Sequence, residues 1–95
     1  MKIYLITMIG YERYGGEIQT NISHPFTDRR QAITFYESAK ERSLSAYQDD
    51  DRYEIENGFN SLTIRYKGTG PGEKATDVCE IRYFELETVT PTEND

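Results

Sequence analysis

The chain has 95 residues, and its 17 aspartates and glutamates outnumber its 11 lysines and arginines, so the formal net charge is -6. A chain of this length forms a single domain. An acidic protein lacks the basic face that binds the phosphates of nucleic acid or an anionic membrane surface. We therefore expect one domain over residues 1–90, a flexible acidic tail over residues 91–95, and no direct contact with nucleic acid or membrane.

Cysteine content and hydropathy predict the compartment. Cys79 is the single cysteine, so an internal disulfide and a four-cysteine metal site are both impossible. No segment approaches the ~18 consecutive apolar residues of a membrane-spanning helix, and no small-residue cleavage site follows the apolar segment Ile3–Ile9. These features predict a cytoplasmic protein without cofactor or bound metal.

The first half of the chain predicts two strands and a helix. Residues 3–9 are rich in β-branched side chains on both alternating faces, and residues 17–22 alternate, which indicates two strands. Gly15 and Gly16, between them, permit the positive φ angles of a tight hairpin turn. Thr27 or Asp28 is the predicted N-cap of a helix of about 20 residues. Its predicted apolar side comprises Ala32, Ile33, Phe35, Tyr36, Ala39, Leu44, Ala46 and Tyr47.

The second half predicts three more strands. Residues 53–56 alternate and are followed by Asn57-Gly58, a strong hairpin signal, after which residues 59–67 form the next strand. Residues 68–74 form a flexible glycine-rich loop, and residues 76–89 form the last strand. The apolar pattern of this strand changes phase between Tyr83 and Phe84, which predicts either a bulge or a change in the covered face.

The predicted fold is α+β, with the order β-β-α-β-β-β, one antiparallel sheet, and a single amphipathic helix packed on one face. One helix cannot cover both faces of the sheet. We therefore expect the second face to be partly exposed or used in a homodimer.

Charge is unevenly distributed along the chain. Residues 1–48 carry a net charge of about +1, whereas residues 49–95 carry about -7. A calcium loop starting at Asp49 would place Tyr53 and Glu54 where an oxygen ligand and a glycine are required, so a metal site is not predicted. We predict instead an acidic surface that binds a protein partner. Its candidate residues are Asp49, Asp50, Asp51, Glu54, Glu56, Glu80, Glu85 and Glu87.

A second candidate site lies at the helix entry. Arg29 and Arg30 stand in the first helical turn, where cations oppose the helix dipole, and together with His24 they could receive an anion. Alternatively, Asp28 and a carboxylate on a neighbouring strand neutralise them, and we favour this second interpretation.

No group of residues predicts catalysis. His24 has no nucleophile placed beside it and is expected in a turn before Pro25, whereas Cys79 is expected to be a small core residue. The glycines of residues 68–72 lack the Gly-Lys-Ser/Thr ending and the following helix of a phosphate-binding loop. We therefore expect a protein that is not an enzyme.

The opening residues 1–4 (Met-Lys-Ile-Tyr) and the helix entry at residues 26–32 (Phe-Thr-Asp-Arg-Arg-Gln-Ala) resemble those of small uncharacterised phage and prophage accessory proteins. The resemblance covers the first half of the chain. It implies an accessory protein of the anti-defence, anti-CRISPR-like type, which acts by contact with a host protein, and it assigns no functional residue.

Two functional hypotheses follow. The first is a small acidic binding protein, such as a phage-type inhibitor, that contacts a basic surface of a host protein, including one that binds nucleic acid. The second is a module for small ligands or anions that uses His24, Arg29 and Arg30 at the helix N-terminus, either as a single chain or as a homodimer.

Overall fold

The computed structural model describes residues 1–11 and 18–87, with Ile18 described by its backbone alone. Five strands form one antiparallel sheet of order β2-β1-β5-β4-β3, and one helix packs on it, which confirms the predicted α+β fold. The Gly15-Gly16 turn, the predicted end of the last strand and the acidic tail lie outside the described residues. The elements are β1 (Lys2–Tyr11), β2 (Ile18–Phe26), α1 (Arg29–Tyr47), β3 (Tyr53–Asn57), β4 (Ser61–Tyr66) and β5 (Thr76–Glu87).

Strand β2 is longer than the sequence pattern predicts. It pairs antiparallel with β1 and continues through Pro25 to Phe26, which lies opposite Tyr4. Proline is tolerated here because β2 is an edge strand, where the missing N–H can face solvent. The prediction that His24 occupies a turn is therefore wrong, since His24 lies within β2 opposite Ile6.

Strand β5 lies at the centre of the sheet and joins the two hairpins. Its pairing with β1 is continuous from Lys2–Glu87 to Gly10–Cys79, so the predicted bulge between Tyr83 and Phe84 is wrong. The irregularity lies in the pairing with β4, where the register shifts between Ile64 and Arg65. The phase change in the sequence arises because β5 has apolar residues on both faces of the sheet: Tyr83 is buried and Phe84 is 38 % exposed.

Helix α1 begins where its cap predicts. Asp28 is the N-cap, and its Oδ1 accepts a hydrogen bond from the backbone N–H of Arg30 at 2.9 Å. Ala32, Tyr36 and Ala39 are buried against the sheet. The predicted apolar side is correct except at Ala46, which is exposed near the C-terminal end.

The hydrophobic core lies between α1 and the three central strands. Ile6, Leu62, Ile64 and Ile81 have no exposed surface, and each side chain of this size contributes about 1.5–3 kcal/mol when fully buried. The opposite face of the sheet carries no helix among the described residues, and Leu86 is 45 % exposed there. Within residues 1–11 and 18–87, no helix is long and apolar enough to cross a membrane.

The β3–β4 hairpin forms where Asn57-Gly58 predicts it, but Asn57 and Gly58 are not the central residues of its turn. Asn57 still pairs with Leu62, and the backbone N–H of Gly58 donates to the carbonyl of Ser61 at 2.8 Å. Four residues, from Gly58 to Ser61, lie between this last pair, and the turn has Phe59 and Asn60 at its centre. It presents Phe59 at the hairpin tip with 93 % of its surface exposed.

Candidate binding surface

The three consecutive aspartates form the turn between α1 and β3. Asp50 is engaged internally: its carboxylate accepts hydrogen bonds from the backbone N–H of Arg52 at 3.0 Å and from Nη2 of Arg52 at 2.6 Å. The hydrogen bond to Asp50 is the main reason that the pKa of Arg52 is raised. Asp49 and Asp51 are exposed to solvent on either side of this pair.

Glu54 and Glu56 extend the acidic turn along the edge strand β3. Both are exposed and point to the face of the sheet opposite α1, since the alternate residues Tyr53 and Ile55 pack against the core. The Oε2 atom of Glu54 lies 4.0 Å from Nη1 of Arg65, a separation at which an exposed ion pair contributes little. We call Asp49, Asp51, Glu54 and Glu56 the acidic edge.

Glu80 lies apart from the acidic edge and is buried, with 8 % of its surface exposed. It forms an ion pair with Arg82 and accepts a hydrogen bond from the hydroxyl of Tyr11 at 3.1 Å. Burial, and then the hydrogen bond to Glu80, raises the pKa of Tyr11. These contacts compensate the desolvation of the carboxylate and leave it little accessible to a partner.

Glu85 and Glu87 lie at the other end of the molecule. One oxygen of Glu85 accepts hydrogen bonds from the hydroxyl of Tyr83 at 2.9 Å and from Nε of Arg29 at 3.1 Å. These two bonds, that from Tyr83 first, lower the pKa of Glu85. Glu87 lies 3.7 Å from the amino group of Met1. The eight carboxylates therefore occupy three separate places. The acidic edge is the place where four exposed carboxylates lie on neighbouring elements.

The three residues of the predicted anion site do not converge. Arg29 donates to Glu85, and Asp28 caps the helix, which agrees with the interpretation that carboxylates neutralise the helix entry. The ring of His24 packs against Phe35, with the ring centroids 4.5 Å apart. Arg30 lies beside Phe35 on a different side of the helix from the Arg29–Glu85 pair.

Sequence reasoning did not predict a cleft of about 510 Å³ between α1, the β3–β4 turn and β5. We call it the aromatic cleft, because four aromatic residues, one ion pair and one further carboxylate line much of it. These residues are Tyr36, Phe59, Tyr83, Phe84, the pair Arg29–Glu85, and Glu37. The one available sequence signal was a phenylalanine placed directly after a hairpin-forming Asn-Gly.

Tyr36 carries an unsatisfied polar group in the wall of this cleft. The residue is 4 % exposed, and its hydroxyl has no hydrogen-bond partner among the described residues. Burial raises its pKa. A buried hydroxyl without a partner costs about 1–3 kcal/mol, and because this hydroxyl is itself enclosed it is not a contact for a group that enters the cleft.

The charges of the aromatic cleft favour a cation over an anion. Arg29 and Glu85 neutralise each other at 3.1 Å, and Glu37 adds a second carboxylate. Aromatic rings attract cations through their negative faces, and the amino group of Lys40 already lies 5.1 Å from the centroid of the Tyr36 ring.

Cys79 shows no sign of reactivity. Its Sγ lies 3.8 Å from the hydroxyl of Ser43, and burial raises the pKa of the thiol, so that it remains protonated near neutral pH. Among the residues that the structure describes, no group of three or more His, Cys, Asp or Glu side chains could hold a metal ion.

Comparison with known proteins gave no relative: no family model, no curated protein and no solved structure matches this chain.

Proposed function

We propose that this chain is a small, non-enzymatic binding protein that contacts a basic surface of a protein partner through the acidic edge and the aromatic cleft. One observation carries the proposal: Phe59, at the tip of the hairpin whose first strand carries Glu54 and Glu56, exposes 93 % of its surface and also lines the aromatic cleft. Aromatic anchors surrounded by polar groups dominate the energy of many protein interfaces.

Carboxylates of α1 lie near the hairpin on the helix-bearing side of the sheet. Glu37 and Glu41 line a surface depression together with Lys40 and Asn57, the last residue of β3. Glu37 also lines the aromatic cleft with Phe59. Carboxylates therefore flank the hairpin on both faces of the sheet, which suits a partner whose lysines or arginines reach around the hairpin tip.

The cleft suits the end of one such basic side chain. An ammonium or guanidinium group entering it would meet aromatic faces and the carboxylate of Glu37. A surface that binds phosphate through lysine and arginine has the required chemistry. The protein would then act as an inhibitor by occupying the place of nucleic acid on a host protein.

The test is affinity capture followed by measurement of the dissociation constant for the recovered partner, with variants matched in charge. Glu54→Gln/Glu56→Gln raises the net charge by two units at the acidic edge. Thr34→Lys/Ser38→Lys raises it by the same amount on an exposed part of α1 beside Phe35. Phe59→Ala removes the anchor from a position that contributes no core packing.

We expect Phe59→Ala and the double glutamine variant each to weaken binding by about tenfold or more, which corresponds to about 1.4 kcal/mol. The double lysine variant should bind as the unmodified protein does. Affinity should also fall as salt concentration rises, because the exposed charges are screened. Equal affinity of all variants, or a partner that binds through an acidic surface, would contradict the proposal.

A further inference from the structure

Among residues 1–11 and 18–87 no strand pairs with the outer side of β2, and one hydrogen bond elsewhere in the sheet fixes which backbone groups of β2 face that side. The N–H of Tyr83 donates to the carbonyl of Asn60 at 3.0 Å, so odd-numbered residues of β5 near this point direct their backbone groups to β4. Because these groups alternate in an antiparallel ladder, even-numbered residues of β5 face β1, and even-numbered residues of β1 face β2.

The outward-facing groups of β2 are therefore those of its odd-numbered residues. Asn21 and Ser23 direct both N–H and C=O away from β1, and Pro25 presents only its C=O, whereas Gln19 is the extra residue at the register shift and stands outside this alternation. The position of Pro25 agrees with this phase, since its missing N–H costs no bond to β1. Strand β2 stands at one end of the strand order, so no described strand covers these groups.

The two edges of the sheet differ in charge. The nine residues of β2 include no Asp, Glu, Lys or Arg, although such residues make up 29 % of the chain. The five residues of β3 include Glu54 and Glu56. Charged side chains, short length, proline and bulges protect an edge strand against pairing with another copy. Strand β3 is short and charged. In β2 the protection is limited to Pro25 near one end and the register shift near the other, which leaves residues 20–24 uncharged between them.

We propose that a second copy of this chain pairs antiparallel with β2, giving a two-fold symmetric dimer with a continuous ten-stranded sheet. Antiparallel pairing of two identical strands is self-complementary, as a two-fold axis requires. The same pairing through β3 would bring the Glu54 and Glu56 carboxylates of two acidic chains together.

The exposed Ile22 fixes the position of the axis. It is 48 % exposed on the helix-bearing face. An axis through Ile22 pairs Asn21 of each copy with Ser23 of the other and forms about four inter-chain backbone hydrogen bonds. The two Ile22 side chains then face each other in a non-hydrogen-bonded pair with a Cα separation of about 4.5 Å, and each covers apolar surface of the other.

This geometry leaves the proposed partner surface free. The β3 edges lie at the two far ends of the ten-stranded sheet, so the dimer would present two acidic edges and two aromatic clefts. A partner with repeated basic segments would then be bound with an avidity higher than that of one copy.

The first test is the mass in solution, measured by sedimentation equilibrium over a range of protein concentrations. We expect about 22 kDa, twice the chain mass of 11.1 kDa. Asn21→Lys places a charge on β2 next to the proposed axis. It should give the monomer mass at protein concentrations at which the unmodified protein is a dimer. Glu54→Lys places the same residue on the other edge and should leave the dimer intact. A mass of 11.1 kDa at all concentrations overturns the proposal.

The second test is disulfide crosslinking in a Cys79→Ser background, with circular dichroism as the check that each variant folds. Ile22→Cys should form an inter-chain disulfide under mild oxidation, because the expected Cα separation lies in the range that a disulfide spans. Asn21→Cys should not form a disulfide, because position 21 of the other copy lies diagonally across the strand pair, at a distance of about 7–8 Å. Crosslinking through Asn21→Cys, or through neither variant, overturns the stated pairing.

Discussion

Replacing Ile81 by alanine tests the two-layer arrangement of helix on sheet most directly. Ile81 has no exposed surface and lies on the central strand opposite both Met8 and Leu62. Removing three carbons costs about 2.4 kcal/mol in transfer free energy at about 0.8 kcal/mol each. Because neighbouring side chains fill the cavity only partly, we expect a total loss of about 3–4 kcal/mol.

The matched control lies on the same strand. Leu86→Ala also removes three carbons and makes the same residue type in β5, but Leu86 is 45 % exposed on the face opposite α1. About half of the transfer free energy is lost there and no closed cavity forms, so the expected cost is about 1 kcal/mol. Loss of a β-branched residue adds a smaller cost to Ile81→Ala only, in the same direction as the loss of packing.

The measurement is urea unfolding followed by far-ultraviolet circular dichroism at one fixed protein concentration. A chain of this length has a free energy of unfolding of about 5–14 kcal/mol. With a slope of about 1.5–2 kcal/mol per molar urea, Ile81→Ala should lower the midpoint by about 2 M and Leu86→Ala by about 0.5 M. Equal losses in the two variants would refute the reasoning, because they would mean that both faces of β5 are equally covered.

Three further predictions concern single side chains. Asp28→Ala should destabilise the protein by about 1 kcal/mol in the same assay, because the N–H of Arg30 loses its cap, whereas Thr27→Ala should change stability little. The pKa of Glu85 is lower in the folded state than its usual value of 4.5, so ionised Glu85 stabilises the fold above that value, and this stability is lost as pH falls through the folded pKa. Glu85→Gln should therefore flatten the pH dependence of the free energy of unfolding in that acidic range, and an unchanged profile would contradict this. The thiol of Cys79, whose pKa burial raises, should react slowly with a disulfide reagent near neutral pH and rapidly in urea, and equal rates would show that it is not buried.

The sequence predicted only that part of the candidate surface whose residues are close together in the chain. Asp49, Asp51, Glu54 and Glu56 are close in sequence, so a charge count finds them, and the alternation of β3 places the two glutamates on one face. The aromatic cleft could not be predicted in this way, because it is assembled from a helix, a hairpin turn and a distant strand.

Local chemistry alone determined the order and type of the elements. Alternation with period two defines the strands, the Asp28 cap begins the helix, and Asn57-Gly58 produces the second hairpin, because each depends on neighbouring residues and on the backbone.

Tertiary structure decided the strand order and the roles of the charges. Pairing of β1 with β5 joins the two ends of the described chain, and no local pattern specifies which strands become neighbours. That pairing brings the hydroxyl of Tyr11 to Glu80 across 69 positions, and the sheet brings Arg29 to Glu85 across 56. Whether a carboxylate is buried and paired or free for a partner depends on such distant neighbours, since its electrostatic energy is set by the groups packed around it.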